Sequence, residues 1–373
     1  MNRLVLIGNG FDLAHGLKTS YADFINWYWE DWGRHLLRGL KREESDELCS
    51  FRLKDNIEVS SWAYVWGWHY QRKDVTKPWD VNVVVECAKE NRDLCDFKMS
   101  PFFERIITSI ETKGWVDIEN EYYSLLVLLY SHVKDNYLNL NKQLACLRDK
   151  LIEYLKLESN RIVESKDCII DKLNSPILKQ EVAVSSSVYN EIRYDETINP
   201  KSTMLLSFNY TNIIKRYERN VPRIETNYIH GNIDNAQSVI FGYGDELDEG
   251  YKKLSNQNDN EALRYIKSIR YLESDNYRKM LEFIESAPFQ VCIMGHSCGN
   301  SDRTLLNTLF EHKNCISIKP YYYINEKGKD NYLELVQNIS RNFTDMKLMR
   351  DRVVNKEYTE TLMPRGQETD TLY

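Results

Sequence analysis

Leu4-Val5-Leu6-Ile7-Gly8-Asn9-Gly10-Phe11-Asp12 is the stretch that decides the fold class. Its four consecutive apolar residues read as a strand buried on both faces, the pattern of a parallel sheet, rather than as the alternation of a half-exposed strand. The glycines behind them suit a tight turn into a helix. Such a turn brings backbone N–H groups close to a diphosphate at the helix N-terminus. As a dinucleotide fingerprint the loop is incomplete, since position 13 is Leu, and the acid found further on, Glu30, stands in a Trp-rich stretch. A ligand-free strand-to-helix turn is the plainer account of this motif alone.

Further strand candidates lie at Thr203–Leu206, Thr226–Ile229, Ser238–Phe241, Gln290–Met294 and Cys315–Ile324. Helical stretches are expected at 211–219, 261–286, 301–312 and 331–343. Ligands of open α/β sheets sit beyond the carboxyl ends of the strands. Four runs besides the first are followed there by small or polar residues: Ser207-Phe208-Asn209-Tyr210-Thr211, His230-Gly231-Asn232, Gly242-Tyr243-Gly244-Asp245 and Gly295-His296-Ser297. Five such ends together point to a nucleotide cleft at one edge of a sheet.

The chain has 373 residues, 42% of them hydrophobic, enough for a sizeable core and against wholesale disorder. Its formal net charge of −7, with both signs mixed, argues against nucleic acid or an anionic membrane as partner. The longest apolar run, Leu125–Tyr130, is far short of a membrane span, and the apolar part of the N-terminus is too short for a signal peptide. Eight Cys without a C-x-x-C pair fit a reduced cytoplasmic protein with no metal.

All eight Trp lie within the first 115 residues, and the pattern from about Tyr21 to Asn199 is mostly helical. Ser100-Pro101 reads as an N-cap followed by Pro at the first helical position. From Asp117 to about Asn160 the apolar spacing fits one long helix or an αα-hairpin. The expected fold is therefore α/β, a doubly wound, mostly parallel sheet interrupted by a large helical insertion. Residues 1–25 plus 200–345 form the nucleotide-binding core, 26–199 the mainly helical insertion and 346–373 a C-terminal tail.

The opening block 4–17, with Ser20-Tyr21-Ala22-Asp23-Phe24, resembles the start of the bacteriophage abortive-infection AbiH family, and Trp115, Asp117 and Glu119 add a second similar patch. The later strand-end blocks extend the likeness toward the C-terminus. Those blocks are also similar, in order, to the NAD site of sirtuins and sirtuin-like NAD hydrolases, and so imply a sirtuin-like, Rossmann-type core. On that resemblance Gly8 and Gly10 match the diphosphate loop, with Asn9, Phe11 and Asp12 as cofactor-binding candidates beside them and Gly16 keeping the following glycine spacing. Asn209 matches the catalytic Asn, and His230-Gly231 the catalytic His-Gly. Gly242 lies among the matched blocks, and Gly295, His296 and Ser297 match the ribose loop. The chain departs from sirtuins at Ile25, where they carry Arg, and at Thr211, where they carry Asp. Only seven residues separate Gly231 from Val239, too few for the zinc module, so deacylation is not expected.

The resemblances together imply an antiphage NAD glycohydrolase, metal-independent, with NAD or a related nucleotide as substrate rather than cofactor. Asn209 would orient the ribose or the attacking water, and His230 would act as general base. A phage trigger or partner protein and a homo-oligomer are expected. Two other readings stand beside this one: a sensor that binds a nucleotide or ADP-ribose-like signal without turnover, and an interaction protein controlling a separate toxic effector. Plainer roles are open for single residues: His230 as a hydrogen-bonded structural residue, Asn209 and Asp12 as helix caps, His296 as a loop residue. The aromatics alternating along Trp62–Tyr70 would line one face of a strand or pack inside the insertion.

Overall fold

The computed structural model describes residues 1–38, 42–60, 90–129, 135–161, 163–193 and 196–364. The described residues form two compact units, one made of Met1–Thr19 with 155–364, the other of Ser20–Tyr154. Residues 155–199, expected in the insertion, thus belong with the sheet.

Ten strands are described: β1 (Asn2–Ile7), β2 (Glu43–Ser45), β3 (Cys49–Leu53), β4 (Cys95–Met99), β5 (Ile177–Leu178), β6 (Thr197–Ile198), β7 (Thr203–Ser207), β8 (Ile224–Tyr228), β9 (Phe289–Met294) and β10 (Cys315–Tyr321). The first unit is mixed α/β, built on a five-stranded sheet of order β10-β9-β1-β7-β8 in which every pairing is parallel. β1 lies at the centre and is buried along its whole length. Its side chains alternate between two apolar clusters. Leu4 and Leu6 join Met204, Leu206, Val291 and Ile293 on one face. Val5 and Ile7 join Leu205, Cys292 and Met294 on the other. That two-residue period, apolar at both phases, is what the continuous run in the sequence encodes. The chain steps outward from β1 to β7 and β8, then returns past β1 to β9 and β10. The direction of travel reverses between β1 and β9.

Several expected elements are shorter or missing. Ser238–Phe241 is not a strand: a 3-10 turn ends at Ser238, and Ile240 makes a single backbone bond, its N–H to the His230 carbonyl at 2.9 Å. The apolar run there is buried loop. The helix expected at 261–286 is broken, with α-helix only at Lys267–Arg270 and Asn276–Ser286. The break arises because Tyr243 and Lys267 exchange backbone bonds across it, Tyr243 N–H to Tyr265 O at 3.1 Å and Lys267 N–H to Tyr243 O at 2.9 Å. Residues 211–219 hold only a 3-10 turn at Ile213–Tyr217. The segment after residue 345, expected as a tail, folds onto the sheet up to Pro364. Its helix Met346–Arg352 is followed by bridges of Val353 to Ile318 and Thr361 to Tyr322, which cover groups that β10 would otherwise leave unpaired.

In the second unit the helix Pro101–Lys113 starts as read, with the Ser100 hydroxyl accepting from the Phe103 N–H at 3.2 Å and Gly114 closing it in the left-handed region. The region 117–160 holds two helices, Ile118–Leu128 and Asp135–Ser159. The insertion is not purely helical, because β2-β3-β4 form an antiparallel sheet. Tyr28, Trp29 and Trp32 of the helix Tyr21–Arg38 pack on Phe51, Phe97 and Phe103 with ring centroids 5.2–6.3 Å apart. Those three residues of the Trp-rich region are core. The alternating stretch Trp62–Tyr70 lies outside the described residues. No described helix is long and apolar enough to cross a membrane.

Candidate functional site

Parallel strands in level register deliver their carboxyl ends to one edge. Ile7 sits opposite both Ser207 and Met294, and Ser207 opposite Tyr228. The residues that follow each strand therefore meet. Asp12, one turn into the short helix Asn9–Ala14, accepts from Asn209 Nδ2 at 2.8 Å and from Thr211 Oγ1 at 2.6 Å. The second Nδ2 hydrogen of Asn209 goes to the Gly8 carbonyl at 2.9 Å. Neither residue caps a helix: Gly8 is the N-cap before Asp12, and the Asn209 side chain reaches across to β1 instead. With both amide hydrogens used, the amide oxygen of Asn209 is the group it can offer a ligand. Asp12 is 1% exposed, and burial, opposed by the Thr211 and Asn209 bonds, pushes its carboxyl up to about 7. In the segments that follow β1, β7 and β9, Asn9 and Ser297 are exposed and Gly10, Tyr210 and Gly295 half-buried.

The glycines of the first loop serve a contact inside the fold. Gly10 N–H donates to the Gly295 carbonyl at 2.8 Å and Phe11 N–H to the Gly8 carbonyl at 2.9 Å. A Cβ on Gly8 would stand 2.4 Å from His296 Cα, and one on Gly10 2.9 Å from Gly295 Cα. Gly295 itself has φ +74° and no room beside Phe11 N. Two backbone loops are thus closed on each other, and these N–H groups, expected to face a diphosphate, are already bonded.

His230 is buried two residues beyond β8. Its Nε2 lies 3.1 Å from the Tyr271 hydroxyl and 3.3 Å from Asp302 Oδ1. The same oxygen accepts from Lys267 Nζ at 2.8 Å, and Oδ2 faces His296 Nε2 at 3.6 Å. His296 Nδ1 accepts the Cys298 N–H at 3.0 Å, so in the neutral ring Nε2 carries the proton and points it at Asp302. Burial first, and Lys267 next, push the His230 imidazole down to about 3. Burial alone would raise Asp302, but Lys267, His230 and His296 together hold it below the usual carboxylate range. The cluster is a buried Lys267–Asp302 ion pair flanked by a neutral His230. Phe208 separates the two rings, its centroid 5.2 Å from His230 and 4.1 Å from His296.

Of the residues singled out in the sequence, Gly8, Asp12 and Asn209 meet directly, and His230 and His296 meet through Asp302. Gly231, at φ +74°, and Gly242 give way to backbone: a Cβ would fall 2.1 Å from Ser238 O in the first case and 2.0 Å from Tyr265 O in the second. The Ser297 carbonyl accepts from Asn338 Nδ2 at 3.0 Å. Sequence reasoning missed Asp302, Lys267 and Tyr271. Asp302 carried a signal, being the acid that follows the Gly295-His296-Ser297 block. Lys267 carried none, in a segment of mixed charge.

Buried imidazoles set a pH dependence. His15, between the Phe11 carbonyl at 2.7 Å and the Tyr217 hydroxyl at 2.6 Å, is pushed down to about 4, chiefly by burial. Unfolded, both imidazoles take up protons below about pH 6.5. Their contribution is full above that value and is lost as pH falls toward about 4 for His15 and about 3 for His230. Asp12 runs the other way between its unfolded value and about 7 and offsets one of the two protons. Melting temperature is expected to fall from pH 6.5 to 5, and more steeply in Asp12→Asn. A flat profile by scanning calorimetry would contradict the burial of both rings.

Comparison with known proteins yields no match among curated proteins or solved structures. The family model described as bacteriophage abortive infection AbiH matches residues 4–324, which reaches into all five strands of the parallel sheet and takes in Asp12, Asn209, Thr211, His230, Lys267 and Asp302. The chain belongs to the bacteriophage abortive infection AbiH family.

Proposed function

We propose that this chain defends against phage by hydrolysing NAD at the nicotinamide–ribose bond, with Asp12, Asn209 and Thr211 as the working group. The observation that carries the reading is a buried carboxyl bonded to Asn209 and Thr211 beside the point where the strand order reverses, and its burial pushes its pKa up to about 7. In doubly wound sheets that reversal is where nucleotides bind, and a sirtuin-like reading of the sheet belongs to the same proposal. Cleavage leaves an oxocarbenium-like ribose. A carboxylate close by stabilises that charge and accepts the proton of the attacking water, and a group half-ionised at neutral pH suits the task. The Asn209 amide oxygen holds a ribose hydroxyl. The proton acceptor is Asp12 rather than His230, whose ring is too weak a base at about 3 and is bound among Tyr271 and Asp302. His230 and Asp302 instead position the loop that carries His296.

No cofactor or metal enters this reaction, and NAD places the activity in the cytoplasm. Because Gly10 and Gly295 are closed on each other, a diphosphate enters that loop only when the two part. The closed form is the resting one, and a phage component opens it. Purified protein should release nicotinamide and ADP-ribose from NAD, measured by chromatography, once proteins from infected cells are added, and far more slowly without them. Asn209→Ala should lower that rate by roughly 100-fold. NAD left intact under both conditions, or an unchanged rate in Asn209→Ala, would sink the proposal; tight NAD binding without products would leave a sensor.

A further inference from the structure

At the opposite, amino-terminal ends of β9 and β10 lies a cavity of about 250 Å³ that the proposed reaction does not use. Its lining is polar: Arg352, Lys313, Ser185, Ser187 and Asn314, beside Cys315 at the start of β10. Arg352 is 8% exposed. One of its donors, on Nη1, goes to the carbonyl of Phe310 at 2.5 Å, the last residue of the helix Arg303–Phe310. A guanidinium has five N–H donors, and among the described residues the others have no hydrogen-bond partner. No carboxylate among the described residues lies within ion-pair distance of Arg352. The nearest in sequence, Asp351, is turned to the backbone, accepting from Val184 N at 2.9 Å and Ser185 N at 3.3 Å. Lys313 is exposed at the rim, 2.9 Å from Glu285. The remaining donors open onto the cavity, where an anion would supply the counter-charge that this largely buried cation lacks among the described residues.

We propose that this cavity is a second ligand site, one that binds a phosphate-bearing small molecule on Arg352. The guanidinium fork matches two phosphate oxygens, and the hydroxyls of Ser185 and Ser187 stand at the mouth to bond the others. The volume admits a phosphate with a small organic group attached, so inorganic phosphate and AMP are suitable probes. The site lies at the other edge of the sheet from Asp12 and Asn209, and its occupancy is independent of the reaction proposed there.

The test is calorimetric titration of the full chain with inorganic phosphate and, separately, with AMP. Saturable one-site binding is expected, weakened by at least ~10-fold in Arg352→Gln, because a charge-assisted pair is lost. Asn209→Ala should leave it unchanged, which separates this cavity from the site at the strand reversal. Tighter binding of AMP than of phosphate would mark a nucleotide as the ligand; equal binding would mark free phosphate. Should Arg352→Gln fail to fold, Ser187→Glu, at an exposed position, places a carboxylate at the mouth and should weaken binding to a similar degree. The inference is overturned by no saturable heat with either probe up to about 10 mM. It is equally overturned by binding that Arg352→Gln and Ser187→Glu both leave intact, or by binding that Asn209→Ala abolishes.

Discussion

Asp12→Asn is expected to make the protein more stable at pH 8 while removing the proposed NAD hydrolysis. A carboxyl that ionises at about 7 in the fold and at 3.8 outside it must be held charged, at pH 8, in a site that disfavours the charge. The sign follows directly. A raised carboxyl contributes stability that is present below its unfolded pKa and is lost as pH rises through the folded one. The full loss is roughly 4 kcal/mol for a shift of this size. Asn keeps both bonds, its oxygen accepting from Asn209 Nδ2 and its amide donating to Thr211 Oγ1, and carries no charge. The gain should be largest at pH 8 and vanish toward pH 4. Turnover should fall by about 10²–10⁴-fold, the usual contribution of a positioned base. A lower melting temperature at pH 8 would show that Asp12 is a structural anion instead.

Lys267→Met should have the largest destabilising effect. It leaves the Asp302 carboxylate buried without its 2.8 Å partner, and breaking a buried pair from one side costs about 3–5 kcal/mol. The nearby ring supplies partial relief. Lys267 lowers the His230 pKa and Asp302 raises it, so removing the cation lets His230 take a proton and pair with Asp302 at 3.3 Å. The loss should therefore shrink below pH 6, and NMR titration should find the His230 pKa well above about 3. A pKa unchanged in Lys267→Met would mean that burial alone governs the ring.

The sheet was legible because its physics is local. Leu4–Ile7, Thr203–Leu206 and Gln290–Met294 are apolar at both phases of the strand, and all three are central strands. Val239–Phe241 has the same composition, yet the chain there is loop, fixed by the close fit of Gly231 against Ser238. Apolar runs report burial, not pairing. The small sheet of the insertion carried a signal in Cys49–Leu53, whose burial alternates along the strand, but the surrounding helical pattern masked it. For the candidate site, strand-end position marked Asp12, Asn209 and His230 correctly as neighbours of the sheet edge. It could not reveal which of them carries a usable pKa. That depends first on burial, which raises Asp12 and lowers His230, and for His230 also on Lys267 and Asp302, which meet from 35 residues apart through a break in a helix that periodicity alone would continue.

Intracellular NAD followed through infection tests the central claim most directly. In cells carrying the wild-type chain, NAD should be steady before phage is added and collapse after infection, with nicotinamide rising in step. In cells carrying Asp12→Asn at equal protein level it should stay steady throughout, and phage should propagate. Infection aborted by the wild-type chain while NAD remains constant would contradict the account.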